Sequence, residues 1–313
     1  MTTSVRAGAD VLVVGPGAVG CALAAAALSA GRTVALAGPT AFDELHVSTP
    51  DREVRLPVSV ITNPHDVGPA PIVVLSAKVN HDRAAADFVR NGVANGGVLA
   101  VLQNGITHRE RMSVLLGDLI DAVSVVPAVV YCPAERLALG RVVVRGATRF
   151  TLPDDVGGRA VQQALADGYA QVRLTDDWLA AAWTKLMMNA ATGAIAVPTR
   201  RDNRVFSDPE AADLALGIME EVAAVARAEG AALADDVPRR ALAALQGSAS
   251  GHVSSIVADR IAGRPTEWAE RNLVVVERAR RHGIGVPLIQ LTTTLLRLGE
   301  PGGEGDRSAP VSD

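Results

Sequence analysis

Aromatic side chains are scarce in this chain: four Phe, three Trp and two Tyr among 313 residues. So few rings exclude the rows of stacking platforms that single-stranded nucleic acid binders use. A positive field is missing as well. Thirty Lys and Arg against 34 Asp and Glu leave a formal net charge of −4, so nothing in the charge balance attracts a nucleic acid. There are only two cysteines, Cys21 and Cys132, far apart in sequence, which excludes a disulfide framework; no metal site is expected. The first continuously apolar stretch is only Val11-Leu12-Val13-Val14, which argues against a signal peptide. The apolar run from Cys21 to Ala30 is too short to span a bilayer. The expectation is a cytoplasmic protein without a membrane or nucleic-acid partner.

What the chain has is apolar mass and glycine in the right places. Nearly half of it, 49%, is hydrophobic, and its length allows two domains with ample core. Val11–Val14 run directly into Gly15-Pro16-Gly17-Ala18-Val19-Gly20, and the alanine-rich stretch Ala22–Ala30 runs directly out. Strand, glycine turn and helix together form the context a dinucleotide-binding fingerprint requires. Gly15 permits the tight turn, Gly17 lets a pyrophosphate approach the backbone, and Gly20 lets helix lie close to strand. The free N–H groups at the start of the helix then face the phosphates.

Further along, the pattern predicts a strand at 33–37, short strands within 45–62, buried parallel strands at 71–76 and 97–102, and helices at 81–91 and 108–116. A strand at 122–130, a hairpin over 140–152, a helix at 156–167 and a short strand at 172–174 complete this half. Near residue 176 strand signals vanish. Helical patterns follow at 176–192, 208–230, 236–246, 253–262, 266–282 and 287–298. The fold class expected is therefore α/β, a Rossmann-type doubly wound sheet followed by an all-α domain. The expected organisation is a dinucleotide-binding domain at 1–175, a helical substrate domain at 176–298, a cleft between them, and a disordered tail at 299–313.

Several polar residues sit where chemistry is plausible. Lys78 and Asn104 both follow predicted strands at the edge that carries the glycine loop, where ligands of open α/β sheets bind. Lys78 is either a cofactor contact or a solvated surface lysine. Asn104-Gly105 reads as a turn, as a ligand for the nicotinamide ribose or the substrate, or as both. Lys185 and Asn189 are four residues apart and share a helix face. Lys185, in an otherwise apolar segment, either snorkels outward or faces a cleft. A lysine facing a carbonyl as a hydride arrives supplies both a positive charge and a proton. Thr266-Glu267 reads equally well as an N-cap with an acidic first turn, and Ser254-Ser255 as a cap.

Taken together, these residues resemble the ketopantoate reductase (2-dehydropantoate 2-reductase) family from about Asp10 to Arg297. The glycine motif at Gly15–Gly20, Lys78, Asn104-Gly105, Lys185 with Asn189, and Ser254-Ser255 with Thr266-Glu267 all match in order and spacing. Asn272, Arg280-Arg281-His282-Gly283 and Pro287 extend the match. The resemblance implies NADPH-dependent reduction of a 2-oxo acid, with ketopantoate the expected substrate, as in pantothenate and coenzyme A biosynthesis. It assigns Lys185 as general acid and Glu267 to the substrate hydroxyl and the cofactor. Ser255 and Asn189 would hold the substrate, Asn104 would link substrate and cofactor, and Lys78 would contact the cofactor.

Two positions depart from the family pattern: Gly193 and His252 stand where asparagines often occur. His252 would offer a replacement donor to the substrate. The end of the second strand, Gly38-Pro39-Thr40, carries neither the acidic residue that suits NAD nor the basic one that suits NADP, so NAD stays open beside NADP. Two other readings remain: a β-hydroxyacid dehydrogenase, and an NADP-binding sensor without turnover. The long amphipathic helices of the second half are the surfaces offered for a homodimer.

Overall fold

β1 (Val11–Val14) is buried along its whole length, as a strand covered on both faces must be. In the computed structural model, which describes residues 8–248 and 253–301, β1 pairs in parallel with β2 (Val34–Ala37) and with β6 (Ala70–Leu75). β5 (Val60–Ile61), β7 (Val93–Val101) and β8 (Ser124–Pro127) complete a parallel sheet of order β5-β2-β1-β6-β7-β8. The chain works outward from β1 to β5, then returns to β6 and works outward the other way. The order therefore reverses between β1 and β6, the place where doubly wound sheets bind ligands.

α1 (Ala18–Ser29) explains its own composition. One side packs on β1 and β2. The other meets β3 (Glu44–Ser48), β10 (Ala134–Ala138) and β11 (Arg141–Val144), which with β4 (Glu53–Pro57) form a second sheet of order β10-β11-β3-β4. A helix covered on both sides is apolar all round, and Ala22 and Ala24–Ala27 are fully buried. α2 (Asp82–Gly92) and α3 (His108–Leu116) cover the opposite face, where Phe88, Val89 and Met112 pack with Leu12, Val73 and Leu99. α4 (Val156–Leu165) packs on β7, β8 and β13 (Gln171–Thr175). A third sheet has the order β13-β12-β9, with β12 at Arg149–Pro153 and β9 at Val129–Tyr131.

Two expectations are corrected here. Residues 140–152 are not a hairpin: β11 pairs with β10 and β3, whereas β12 pairs with β13 and β9. The connection that reads as a tight turn instead carries the chain between sheets, and Arg145 N donates to Pro133 O. The strand expected over 122–130 is two strands, β8 and β9, in different sheets.

By its contacts the chain divides into two units. The first runs to Gln103 and includes Thr107–Trp178; the second comprises Asn104–Ile106 and the residues from Leu179 onward. The helices after the last strand are α5 (Trp178–Ala191), α6 (Val197–Thr199), α7 (Pro209–Ala228), α8 (Val237–Gly247), α9 (Ser255–Ile261), α10 (Val274–His282) and α11 (Pro287–Leu298). The core of the second unit gathers Trp183, Met187, Phe206, Met219, Val275 and Ile289. α7 starts cleanly because Pro209 occupies its first position and Asp208 accepts from the N–H groups of Glu210 and Ala211. π-helical turns occupy Thr192–Ala196, after α5, and Ala269–Leu273, before α10. The helix expected over 266–282 is thus a π turn followed by α10. Among the described residues, no helix is long and apolar enough to cross a membrane. His252, residues 1–7 and residues 302–313 of the expected tail lie outside the described residues.

Candidate active site

The first unit holds the glycine loop at the sheet's switch point. Gly15 has φ +84°, and a Cβ there would lie 2.5 Å from Ala77 N, in the segment leaving β6. A Cβ on Gly20 would lie 2.4 Å from Ser76 Oγ and 2.7 Å from Gly15 O. Both positions therefore require glycine, and Ser76 closes the junction by donating to Gly15 O at 2.8 Å. Gly17 differs, because the nearest atom to a Cβ there is Gly15 O at 3.9 Å. The start of α1 has no side-chain cap and no acidic residue in its first turn. Its N–H groups thus remain available to an anion, and this donor set fits a dinucleotide pyrophosphate. Pro16, Ala18 and Val19 complete the loop. Lys78 is half-buried three residues beyond β6, just before a 3-10 turn at Val79–His81.

A polar cluster absent from the sequence reading supports this edge. Gln103, buried two residues past β7, donates from Nε2 to Ala77 O at 2.9 Å and to Asp82 Oδ1 at 2.5 Å. Arg111 Nη1 donates to Asp82 Oδ2 at 2.9 Å and Gln103 Oε1 at 2.7 Å. The cluster fixes the backbone beside Lys78. Its only sequence signal is a glutamine closing an apolar strand.

The second unit brings together three of the expected residues. Lys185 Nζ donates to Asn104 Oδ1 at 3.2 Å, and Asn104 Nδ2 donates to Glu267 Oε2 at 2.9 Å. Asn104 is thus oriented by a cation on its oxygen and a carboxylate on its nitrogen, and both hydrogen bonds are of the stronger, charge-assisted kind. Gly105 takes φ +104°, with Glu270 Cβ 3.4 Å from where its own Cβ would be. The Asn-Gly pair is both a turn and a positioning device. Lys185 is half-buried on α5 between Trp183 and the fully buried Leu186 and Met187. Asn189 is half-buried one turn further along the same helix.

Ser255 and Glu267 are joined through a residue the sequence reading passed over. Arg271, 3% exposed, donates from Nη2 to Ser255 Oγ at 3.0 Å, and the same atom lies 3.8 Å from Glu267 Oε2. Burial pushes this guanidinium below its ordinary value, while the charges of Glu267 and Asp259 hold it up; arginine stays protonated in proteins. Glu267 is itself buried.

The capping roles expected of Thr266 and the serine pair are not made. The hydroxyl and backbone N–H of Thr266 both donate to the Glu300 carboxylate, which also pairs with Arg260 at 3.3 Å. Ser254 precedes α9 without a capping hydrogen bond. At Gly193 a Cβ would lie 2.4 Å from Asn272 Oδ1. Asn272 is fully buried and donates to Ala190 O at 3.0 Å, so its amide fills the room a side chain at 193 would take.

Comparison with known proteins follows the same division. The family model for the C-terminal region of ketopantoate reductase PanE/ApbA matches residues 177–300, and the one for ketopantoate reductase PanE/ApbA matches 11–156. A 2-dehydropantoate 2-reductase of Mycobacterium tuberculosis is 35% identical over 295 residues, covering 93% of this chain and 98% of that protein. One of Caulobacter vibrioides is 34% identical over 288 residues, covering 92% and 98%. Among solved structures, a PanE/ApbA family ketopantoate reductase of Ralstonia eutropha superposes with TM-score 0.83 at 27% identity, covering 93% and 98%. A dimeric ketopantoate reductase of Staphylococcus aureus, with TM-score 0.82 at 21% identity and the same coverage, shares the fold.

Proposed function

The chain belongs to the ketopantoate reductase family, whose relatives are oxidoreductases, and we propose that it reduces 2-dehydropantoate to pantoate with NADPH. The observation that carries this reading is the Lys185–Asn104–Glu267 chain of hydrogen bonds in the second unit. The bound nicotinamide would supply the hydride, and Gly15–Gly20, Lys78 and Asn104 would hold the cofactor. Lys185 gives its proton to the substrate's carbonyl oxygen, and its charge stabilises the oxyanion as it forms. Asn104 aims the ammonium. Glu267 accepts from the substrate's hydroxyl, while Ser255 and Asn189 hold its remaining polar groups. With Gly193 bearing no side chain and Asn272 turned to Ala190, this chain has no amide at a position where the family often has one.

Oxidation of NADPH, followed by absorbance, over a panel of branched and unbranched 2-oxo acids tests the reading. Ketopantoate should be reduced fastest. Oxidation of 3-hydroxyisobutyrate without reduction of ketopantoate would overturn it, as would tight NADPH binding without turnover on any 2-oxo acid. We further read the protein as a cytoplasmic homodimer. The support is the dimeric ketopantoate reductase of the same fold and three exposed leucines on α11, Leu291, Leu295 and Leu298. Sedimentation velocity at micromolar concentration should give twice the mass of the chain.

A further inference from the structure

Arg271 has no place in the mechanism above, yet it is the most deeply buried charge beside it. Its side chain is 4% exposed and that of Glu267 is 10% exposed. Its Nε is buried with no hydrogen-bond partner. A buried donor left unmet costs stability, and replacing a buried ion pair by apolar side chains is often neutral or stabilising. Structure alone therefore gives a weak reason for an arginine here. Of the neighbouring anions, Asp259 already accepts from Arg264 Nε at 2.9 Å, and Glu267 lies 3.8 Å from the guanidinium.

The geometry at Ser255 gives a better reason. A serine hydroxyl has one hydrogen and two lone pairs. Arg271 Nη2 occupies one lone pair at 3.0 Å, so the hydroxyl hydrogen must point away from the guanidinium. Ser255 is exposed, so that hydrogen is presented outward. A charged donor behind a hydroxyl polarises it and makes it the better donor to an anion. The same Nη2 lies beside Glu267 Oε2, the atom that also accepts from Asn104. One buried cation thus touches both the expected substrate-holding hydroxyl and the carboxylate of the Lys185 chain.

We propose that Arg271 is a positioning residue that makes Ser255 a donor for the substrate's carboxylate, and so sets the preference for 2-oxo acids over uncharged 2-oxo compounds. This rests on the reductase reading above. The guanidinium is too buried to touch the substrate, so its charge acts through the serine hydroxyl.

The experiment compares a 2-oxo acid with its primary amide as substrates for the wild-type holoenzyme, Arg271→Met, Arg271→Lys and Ser255→Ala. In Arg271→Met, KM for the acid should rise about tenfold to a hundredfold. Its kcat, and kcat/KM for the amide, should change only a few-fold, so the acid-to-amide ratio of kcat/KM collapses. Arg271→Lys should restore part of that ratio. Ser255→Ala, altered at an exposed position, should lose it to a similar degree with Arg271 still in place. A purely structural arginine would lower acid and amide together; equal losses in Arg271→Met, or a ratio unchanged in Ser255→Ala, would overturn the proposal. Should Arg271→Met not fold, as judged by circular dichroism, the lysine and alanine variants decide by the same ratio. Wild-type protein inactive on every 2-oxo acid would instead remove the reductase reading, and this inference with it.

Discussion

Lys185 is asked to be two things at once, a fixed charge and a proton source. Truncating it to alanine removes both, and we expect turnover to fall by about 10²–10⁴ while the circular dichroism spectrum and NADPH binding stay unchanged. Lys185→Arg keeps the charge but not a proton that leaves near neutral pH, so its kcat should stay near the alanine level; recovery to wild type would mean that charge alone suffices. Two largely buried groups contribute to the alkaline limit of the fold. Burial pushes the Cys21 thiol from 9.0 up to about 12, and burial also raises the Tyr169 hydroxyl, which donates to Ala22 O on α1. The folded protein keeps these protons where the unfolded chain loses them. Stability is therefore fully present below pH 9 and falls as pH climbs from about 9 toward 12. Melting temperatures measured across this range should decline less steeply in Tyr169→Phe than in wild type. At this scale legibility was uneven. Lys185, Asn104 and Glu267 stood out through the family pattern, whereas the local pattern alone favoured a Lys185 that snorkels outward. Arg271 stayed invisible because an arginine between Glu270 and Asn272 reads as solvated surface; its burial is set by tertiary packing.

Elements follow from local patterns until a partner element intervenes. β1, α1, β6 and the long α7 were readable because burial on two faces, a glycine turn or a Pro-plus-Asp start leaves a mark in the sequence itself. The false hairpin at 140–152 and the divided strand at 122–130 were not, because the choice of partner strand is made by tertiary pairing. The π turns were equally silent, since nothing local distinguishes one from a helix. They meet at Gly193 and Asn272. A π turn loosens the regular helix ladder and often marks a functional site; here Asn272, from one π turn, bonds Ala190 O just before the other. Gly193→Ala places a methyl 2.4 Å from Asn272 Oδ1. We expect it to cost about 1–3 kcal/mol in denaturant unfolding. Combined with Asn272→Ala, the loss should be less than the sum of the two single changes by about 0.5–3 kcal/mol. Strict additivity would mean that the two side chains do not compete for one space.

For the molecule as a whole, the decisive property is how the glycine loop between β1 and α1 responds to a dinucleotide. A ligand that binds only the folded state stabilises it by about 2.7 kcal/mol at a hundred times its Kd, which in a protein of this size raises the melting temperature by roughly 4 °C. Gly17 separates this effect from the stability of the loop itself. Its φ is −80°, and a Cβ there meets nothing nearer than 3.9 Å, so Gly17→Ala should leave the melting temperature of the free protein unchanged within about a degree. The added methyl stands where the pyrophosphate must approach the backbone, so the shift produced by NADPH should shrink or disappear. At Gly20 the same change collides with Gly15 O at 2.7 Å and should lower the melting temperature of the free protein as well. Running NADH beside NADPH in the same titration addresses cofactor choice: Gly38-Pro39-Thr40 carries neither an acidic nor a basic residue to decide it, and NADPH, the cofactor the family implies, should give the larger shift. An equal shift from NADH would mean that the protein does not discriminate between the two cofactors, and an undiminished NADPH shift in Gly17→Ala would place the dinucleotide somewhere other than this loop.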